Sequence, residues 1–258
     1  MISVVQLGRV DYATALKLQQ TLVELRKAGQ IPDTLLLLEH PPVITLGRNA
    51  KRANVLISEE QAAQTGVEIY ECDRGGDVTY HGPGQLVGYP IFDLRGFTPR
   101  LGAVDFVRKL EEVLIRTCAD FGVATHRVRG MTGVWTLRKE AKIAAIGIHI
   151  SRGVTSHGFA LNVSTNLDQF KLIVPCGIGN KPVTSLDRCL SEAYPGIAVS
   201  PLTLEEVSQS VARNFARVFR TEILWVDTLD ALLGRDVGVP MKPPANLREL
   251  HGDETFWA

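Results

Sequence analysis

Apolar residues recur along this chain at two spacings. Spacings of three and four residues mark helices. Tyr12, Ala15, Leu18, Leu22 and Leu25 share one face of residues 11–28, with Asp11 placed to cap that helix and Gly29 to stop it. Val107, Leu110, Leu114, Cys118 and Phe121 do the same over residues 102–121, which makes Cys118 a core cysteine. Leu204, Val207, Val211 and Phe215 predict a helix over 201–219, with Ser200 as its cap and Pro201 in its first turn. Ser58 followed by Gln61 predicts a capping box on a short helix that ends at Gly66.

Shorter β-branched and aliphatic runs mark strands over residues 34–39, 43–46, 67–72, 86–91, 132–137, 143–150 and 157–163. Over 143–150, Ile146, Ile148 and Ile150 share one face and Gly147 and His149 the other. Residues 151–154 turn the chain back, predicting an antiparallel hairpin flanked by His149 and His157 as ordinary polar residues. Helices and strands interleave without strict β-α-β alternation. The expected fold is therefore α/β, a mixed β-sheet flanked by helices. Beyond about residue 230 the periodicity fades, and a tail with Pro240, Pro243 and Pro244 is expected to wrap the surface or be disordered.

The 258 residues carry 28 Lys plus Arg against 28 Asp plus Glu, a balance that argues against a nucleic-acid scaffold. The leucine run at 35–38 is closed by Glu39, far short of a membrane span, and the N-terminus reads as no secretion signal. Cys72, Cys118, Cys176 and Cys189 include no C-x-x-C pair, so no zinc site is expected. A reduced, cytoplasmic protein is the simplest reading.

The densest chemistry lies at residues 74–85, Arg-Gly-Gly-Asp-Val-Thr-Tyr-His-Gly-Pro-Gly-Gln. Four glycines in twelve residues predict a loop between two strands, suited to holding a ligand beside a cation and an imidazole; a structural turn is the alternative. Cys176 stands between Pro175 and Gly177 in a second loop, where a thiol acts as a nucleophile if a cation or base lowers its pKa. Lys142 leads a small-residue apolar strand; desolvation there favours a neutral amine that can serve as the base, the alternative being a surface lysine at a strand end. No P-loop, dinucleotide fingerprint or G-x-S-x-G elbow is present.

The 74–85 stretch, Lys142 in Ala-Lys-Ile-Ala-Ala-Ile-Gly, the run 157–162 and Pro175-Cys176-Gly177 together resemble the lipoyl(octanoyl) transferase family of lipoate biosynthesis. The likeness covers about residues 1–218. It implies a fold similar to the biotin and lipoate protein ligase catalytic domain over residues 1–220, with 221–258 as a partly irregular C-terminal extension. It also implies an activity: octanoate passes from octanoyl-acyl carrier protein through a Cys176 thioester to a lysine of a lipoyl domain, the first step of endogenous protein lipoylation. The implied acceptors are the lipoyl domains of 2-oxoacid dehydrogenases and the glycine cleavage H protein. No cofactor, metal, nucleic acid or membrane is implied. By the family motifs Cys176 is the nucleophile and Lys142 lowers its pKa. Arg74, Gly75, Gly76, Asp77, Val78, Thr79, Tyr80, His81, Ala145, Ile146, Gly147, Gly158, Phe159 and Ala160 line the substrate site. Small residues on the two hairpin strands would then shape a slot for the acyl chain, each buried methylene contributing about 0.8 kcal/mol. An ATP-dependent lipoate or biotin ligase on the same scaffold, with no use for a thiol, and a non-catalytic acyl-carrier-binding module are the competing readings.

Overall fold

The computed structural model describes residues 1–175, 181–196, 200–228 and 232. In chain order the elements are β1 (Ile2–Arg9), α1 (Tyr12–Lys27), β2 (Asp33–Glu39), β3 (Val43–Leu46), α2 (Glu59–Thr65), β4 (Glu68–Glu71), β5 (Val78–His81) and β6 (Gln85–Ile91). There follow α3 (Ala103–Asp120), β7 (Thr125–Val128), β8 (Met131–Thr136), β9 (Lys142–Ser151), β10 (Val154–Asn162), α4 (Leu186–Ala193), α5 (Leu204–Phe219) and β11 (Ile223–Trp225).

Among the described residues the strands form two sheets. The larger has the order β11-β1-β2-β6-β10-β9-β8-β7, and the smaller β4-β3-β5. β1 runs parallel to β2 and β11, whereas β2–β6, β6–β10 and β9–β10 are antiparallel. The sheet is mixed, as the interleaved pattern implies. One face buries α3 and α5 around Phe92, Phe106, Phe215 and Phe219. The other buries α1 against Val87, Tyr89 and Ala160. A third cluster, with Ile44, Val78, Tyr80 and Phe170, fills the space behind the small sheet.

Local rules account for most of the elements. The Asp11 side chain accepts from Thr14 N at 2.8 Å and starts α1. Ser58 and Gln61 form the reciprocal capping box of α2. Ser151 pairs with Val154 across Arg152 and Gly153, whose φ angles of 52° and 89° make the tight turn whose twist suits a hairpin.

Two expectations are corrected. α5 starts at Leu204, not near Pro201, because Thr203 and Glu206 cap each other reciprocally, satisfying two backbone donors that Ser200 leaves open. The glycine-rich stretch is not a single loop. Its middle, Val78-Thr79-Tyr80-His81, is β5, since these β-branched and aromatic residues pair antiparallel with β3. Strands β1, β7 and β11 and helix α4 add to the elements that the sequence pattern predicts. No helix among the described residues is long and apolar enough to cross a membrane. The tail beyond residue 232, with its three prolines, lies outside the described residues.

Candidate active site

Where β5, β6, β9 and β10 meet the 74–77 segment, the chain encloses a cavity of about 340 Å³. Its lining includes Arg74, Gly75, Gly76, Asp77, Thr79, His81, Lys142, Ala145, Ile146, Gly147, Gly158, Phe159 and Ala160. Three separated stretches of sequence are thus brought to one place. Val78 and Tyr80 do not join them. Alternate residues of a strand point to opposite faces, so Thr79 and His81 reach the cavity while Val78 and Tyr80 pack into the cluster behind the small sheet. Tyr80 lies edge-on to Phe170 at 5.6 Å, and burial pushes its phenol up to about 12.

The glycine segment is held at both ends. Arg74 is buried, and its guanidinium donates to Thr45 Oγ1 at 3.1 and 2.9 Å, to Thr45 O at 2.6 Å and to Gly75 O at 3.0 Å. Asp77 accepts from Asn54 Nδ2 at 2.6 Å and from its neighbour Val78 N at 2.7 Å. Between them, Gly75 N donates to Ile148 O at 2.9 Å and docks the loop on β9. Gly147 faces that loop, and Gly158 faces the backbone of Gly88. At these two glycines the missing side chains admit a neighbouring backbone, whereas Ala145 and Ala160 present their methyl groups in the cavity lining.

Four rings pack together in the cavity wall, Tyr12, His81 and Tyr89 facing the cavity and His40 behind them. Tyr12 stacks on His81 with centroids 6.4 Å apart and meets His40 edge-on at 5.4 Å; His40 lies 5.9 Å from Tyr89. His40 Nδ1 donates to Val10 O at 2.6 Å, so its Nε2 accepts from the Tyr89 hydroxyl at 2.7 Å. Burial pushes His40 down to about 4, against the opposing pull of that backbone bond. Burial, helped by the nearby His40 and Arg74 charges, pushes His81 down to about 3. Both imidazoles are therefore neutral near pH 7. Next to them, with its ring edge-on to Tyr89 at 6.4 Å, His157 bonds Asp73 Oδ1 through Nε2 at 2.7 Å, and His149 Nε2 lies 3.5 Å from Asp73 Oδ2. Burial lowers the His157 pKa despite its carboxylate partner. The hairpin histidines are thus not plain surface groups: His157 is buried and also lines the cavity.

Lys142 opens β9 and is 9% exposed, a buried lysine rather than a surface one. Its Nζ lies 4.9 Å from the centroid of the Trp135 ring. Its backbone N donates to Pro182 O at 2.8 Å. Lys142 and Pro175, together with Ala145 and Ala160, also line a small adjoining cavity. Pro175 is covalently joined to Cys176, and Cys176 itself lies outside the described residues. Cys72, Cys118 and Cys189 are free thiols. Burial pushes Cys118 up to about 12, which suits a core residue and no nucleophile. Among the described residues no group of three or more His, Cys, Asp or Glu could hold a metal ion.

Several lining residues carried no mark in the sequence. Tyr12 reads as a helix-face residue, Val87 and Tyr89 as strand core, and Asn49 and Met131 as neither.

Residues 11–216 match the family described as lipoyl protein ligase A/B catalytic domain. A protein of Koribacter versatilis named octanoyltransferase is 60% identical over 255 residues, covering 98% of this chain and 98% of that protein. One of the same name from Acidobacterium capsulatum is 59% identical over 242 residues, 90% of this chain and 96% of its own length. A bipartite lipoate protein ligase from Thermoplasma acidophilum shares the fold with a TM-score of 0.66 at 17% identity, covering 92% of each chain.

Proposed function

The chain belongs to the lipoyl protein ligase A/B catalytic domain family, and from that premise we propose that it transfers an octanoyl group from octanoyl-acyl carrier protein to a lysine of a lipoyl domain. Relatives at 60% and 59% identity, both named octanoyltransferase, support an acyltransferase of lipoate biosynthesis. The reaction is a double displacement through Cys176. The Cys176 thiolate attacks the donor thioester carbonyl, a new C–S bond forms, and the donor's C–S bond breaks to release its thiol. The acceptor amine then attacks the Cys176 thioester, a C–N bond forms, and the Cys176 C–S bond breaks. Exchange of one thioester for another is nearly even in energy, so no ATP is consumed. Lys142 takes the proton from the thiol in the first step and from the amine in the second. The glycine segment and the alanines of β9 and β10 hold the acyl chain.

The observation that carries this reading is that Lys142 and Pro175, the neighbour of Cys176 in the chain, line one small cavity opening toward Ala145 and Ala160. Residues 1–220 form the catalytic unit in this proposal and 221–258 its extension, in a cytoplasmic protein whose acceptors are the lipoyl domains of 2-oxoacid dehydrogenases and the glycine cleavage H protein.

The test is intact-mass spectrometry after incubation with octanoyl-acyl carrier protein. The expected result is one octanoyl adduct, mapped to Cys176 and removed by hydroxylamine. An adduct on Cys72, Cys118 or Cys189 rejects the nucleophile. Transfer that requires free octanoate and ATP, with none from the carrier protein, makes the protein a ligase.

A further inference from the structure

A continuous line of buried polar groups runs along the walls of the two adjoining cavities and ends on the backbone of Lys142. It starts at Arg74, which donates to Thr45 Oγ1 at 2.9 and 3.1 Å. Thr45 Oγ1 lies 3.4 Å from His81 Nε2. His81 Nδ1 meets Gln85 Oε1 at 2.7 Å. Gln85 Nε2 donates to Tyr80 O at 3.1 Å and to Asn162 Oδ1 at 2.9 Å. Asn162 Nδ2 donates to Thr184 O at 2.9 Å. Thr184 N in turn donates to Lys142 O at 2.9 Å, beside the bridge that pairs Lys142 with Val183.

The direction of each bond follows from the next. Gln85 Nε2 spends both protons, on Tyr80 O and Asn162 Oδ1, so Gln85 Oε1 must accept. His81 therefore carries its proton on Nδ1, and its Nε2 is left as an acceptor toward the Thr45 hydroxyl. Asn162 accepts with Oδ1 and donates with Nδ2, which binds the 182–184 segment. That segment pins both the N–H and the C=O of Lys142. Gln85 is 2% exposed and Asn162 3%, so both are shielded from bulk solvent, in surroundings where such bonds count for more. Gln85, Asn162, Lys142 and Pro175 all border the same small cavity.

We propose that Gln85 and Asn162 are positioning residues for acyl transfer: they hold His81 in the Nδ1–H tautomer and fix the backbone of Lys142 through Thr184. The proposal rests on Lys142 acting as the base, as argued above. A base displaced by a fraction of an ångström loses its alignment with thiol and amine, and misplacement of about 1 Å costs about 100-fold in rate.

The experiment uses the full chain and the variants Asn162→Asp and Gln85→Glu. Asp at 162 still accepts from Gln85 but cannot donate to Thr184 O. Glu at 85 still accepts from His81 but cannot donate to Asn162. Thr155→Val is the control: Thr155 is buried on the same strand, bonds Pro90 O at 2.6 Å and lines no part of the cavity. Two readouts are taken, the imidazole nitrogen shifts of His81 by NMR and the kcat and KM of octanoyl transfer. The expected result is an Nδ1–H pattern in the wild type. Both variants should lose kcat by about tenfold to 100-fold with KM held, and Gln85→Glu should also shift the His81 signals toward the doubly protonated form. The control should keep its kcat despite a lowered Tm. A wild-type His81 protonated on Nε2 overturns the proposal, even if neither variant folds. So does a kcat loss in Thr155→Val equal to that of the variants, or unchanged kcat in both. Failure of octanoyl transfer itself is distinguishable, because the wild type would then form no thioester while the His81 pattern stands.

Discussion

The carbonyl oxygen of Gly75 lies 2.6 Å from the point where a side chain on Gly147 would begin. The loop that carries Arg74 is thus pressed onto β9, and the Gly75 N–H to Ile148 O bond of 2.9 Å holds it there. A strand glycine at this point admits a neighbouring backbone.

Gly147→Ala should force the glycine segment off β9. The expected cost is about 1–3 kcal/mol of stability, the range for an extra group in a packed site, with a raised KM for the acyl donor. Gly76→Val should be worse for a different reason, since Gly76 has φ 88°, outside the range of a β-branched residue. Thermal melts beside steady-state kinetics check both; Gly147→Ala with native Tm and native KM would remove the docking role.

Thr45 anchors Arg74 through its hydroxyl and its carbonyl. Thr45→Val keeps the shape and the carbonyl but removes the hydroxyl acceptor, leaving part of a buried guanidinium unsatisfied. A loss of about 1–3 kcal/mol is expected, measured by urea unfolding. Hydrogen exchange at the Gly75 amide should rise with it; protection equal to the wild type would show that the carbonyl bond alone suffices.

The neutral histidines set a pH limit on stability. His40 is pushed down to about 4 and His81 to about 3, from the usual 6.5. Their folded pKa values are depressed, so their contribution is full above about pH 6.5 and is lost as the pH falls from there toward 4 and 3. Within that window the unfolded chain takes up protons that the folded one refuses, and each histidine contributes up to about 1.4 kcal/mol per pH unit. Urea midpoints between pH 7 and pH 5 should therefore decline. His40→Gln should flatten the decline, and a slope unchanged by that substitution would place the titration elsewhere.

Lys142 as base predicts two separable defects. Lys142→Ala should move iodoacetamide labelling of Cys176 to higher pH and depress both acyl-transfer steps. Lys142→Arg keeps a charge that cannot be withdrawn, so it should retain part of the low-pH thiolate yet stall at amine attack. Labelling measured against pH, followed by single-turnover transfer to a lipoyl domain, separates the two. Unchanged labelling and turnover in Lys142→Ala would transfer the base role to His81, His149 or His157.

By itself the sequence determined those features that depend on residues three or four apart. The Asp11 cap of α1, the Ser58–Gln61 box, the apolar stripe of α3 and the β9–β10 hairpin all follow from local hydrogen bonds and side-chain period. The glycine-rich motif and Lys142 could be marked for the same reason, by residue types unusual at their positions. Strands β7 and β11, of four and three residues, are too short to show alternation, and the first half of β1 is buried on both faces and so does not alternate. Only the tertiary structure turned Val78 and Tyr80 away from the cavity, because that choice depends on how β5 pairs with β3. It alone set Tyr12 against His81 and joined Gln85 to Asn162 across 77 positions of chain. Sheet register decides such contacts, and register is settled by burying whole faces at once, a quantity that no short window of residues contains.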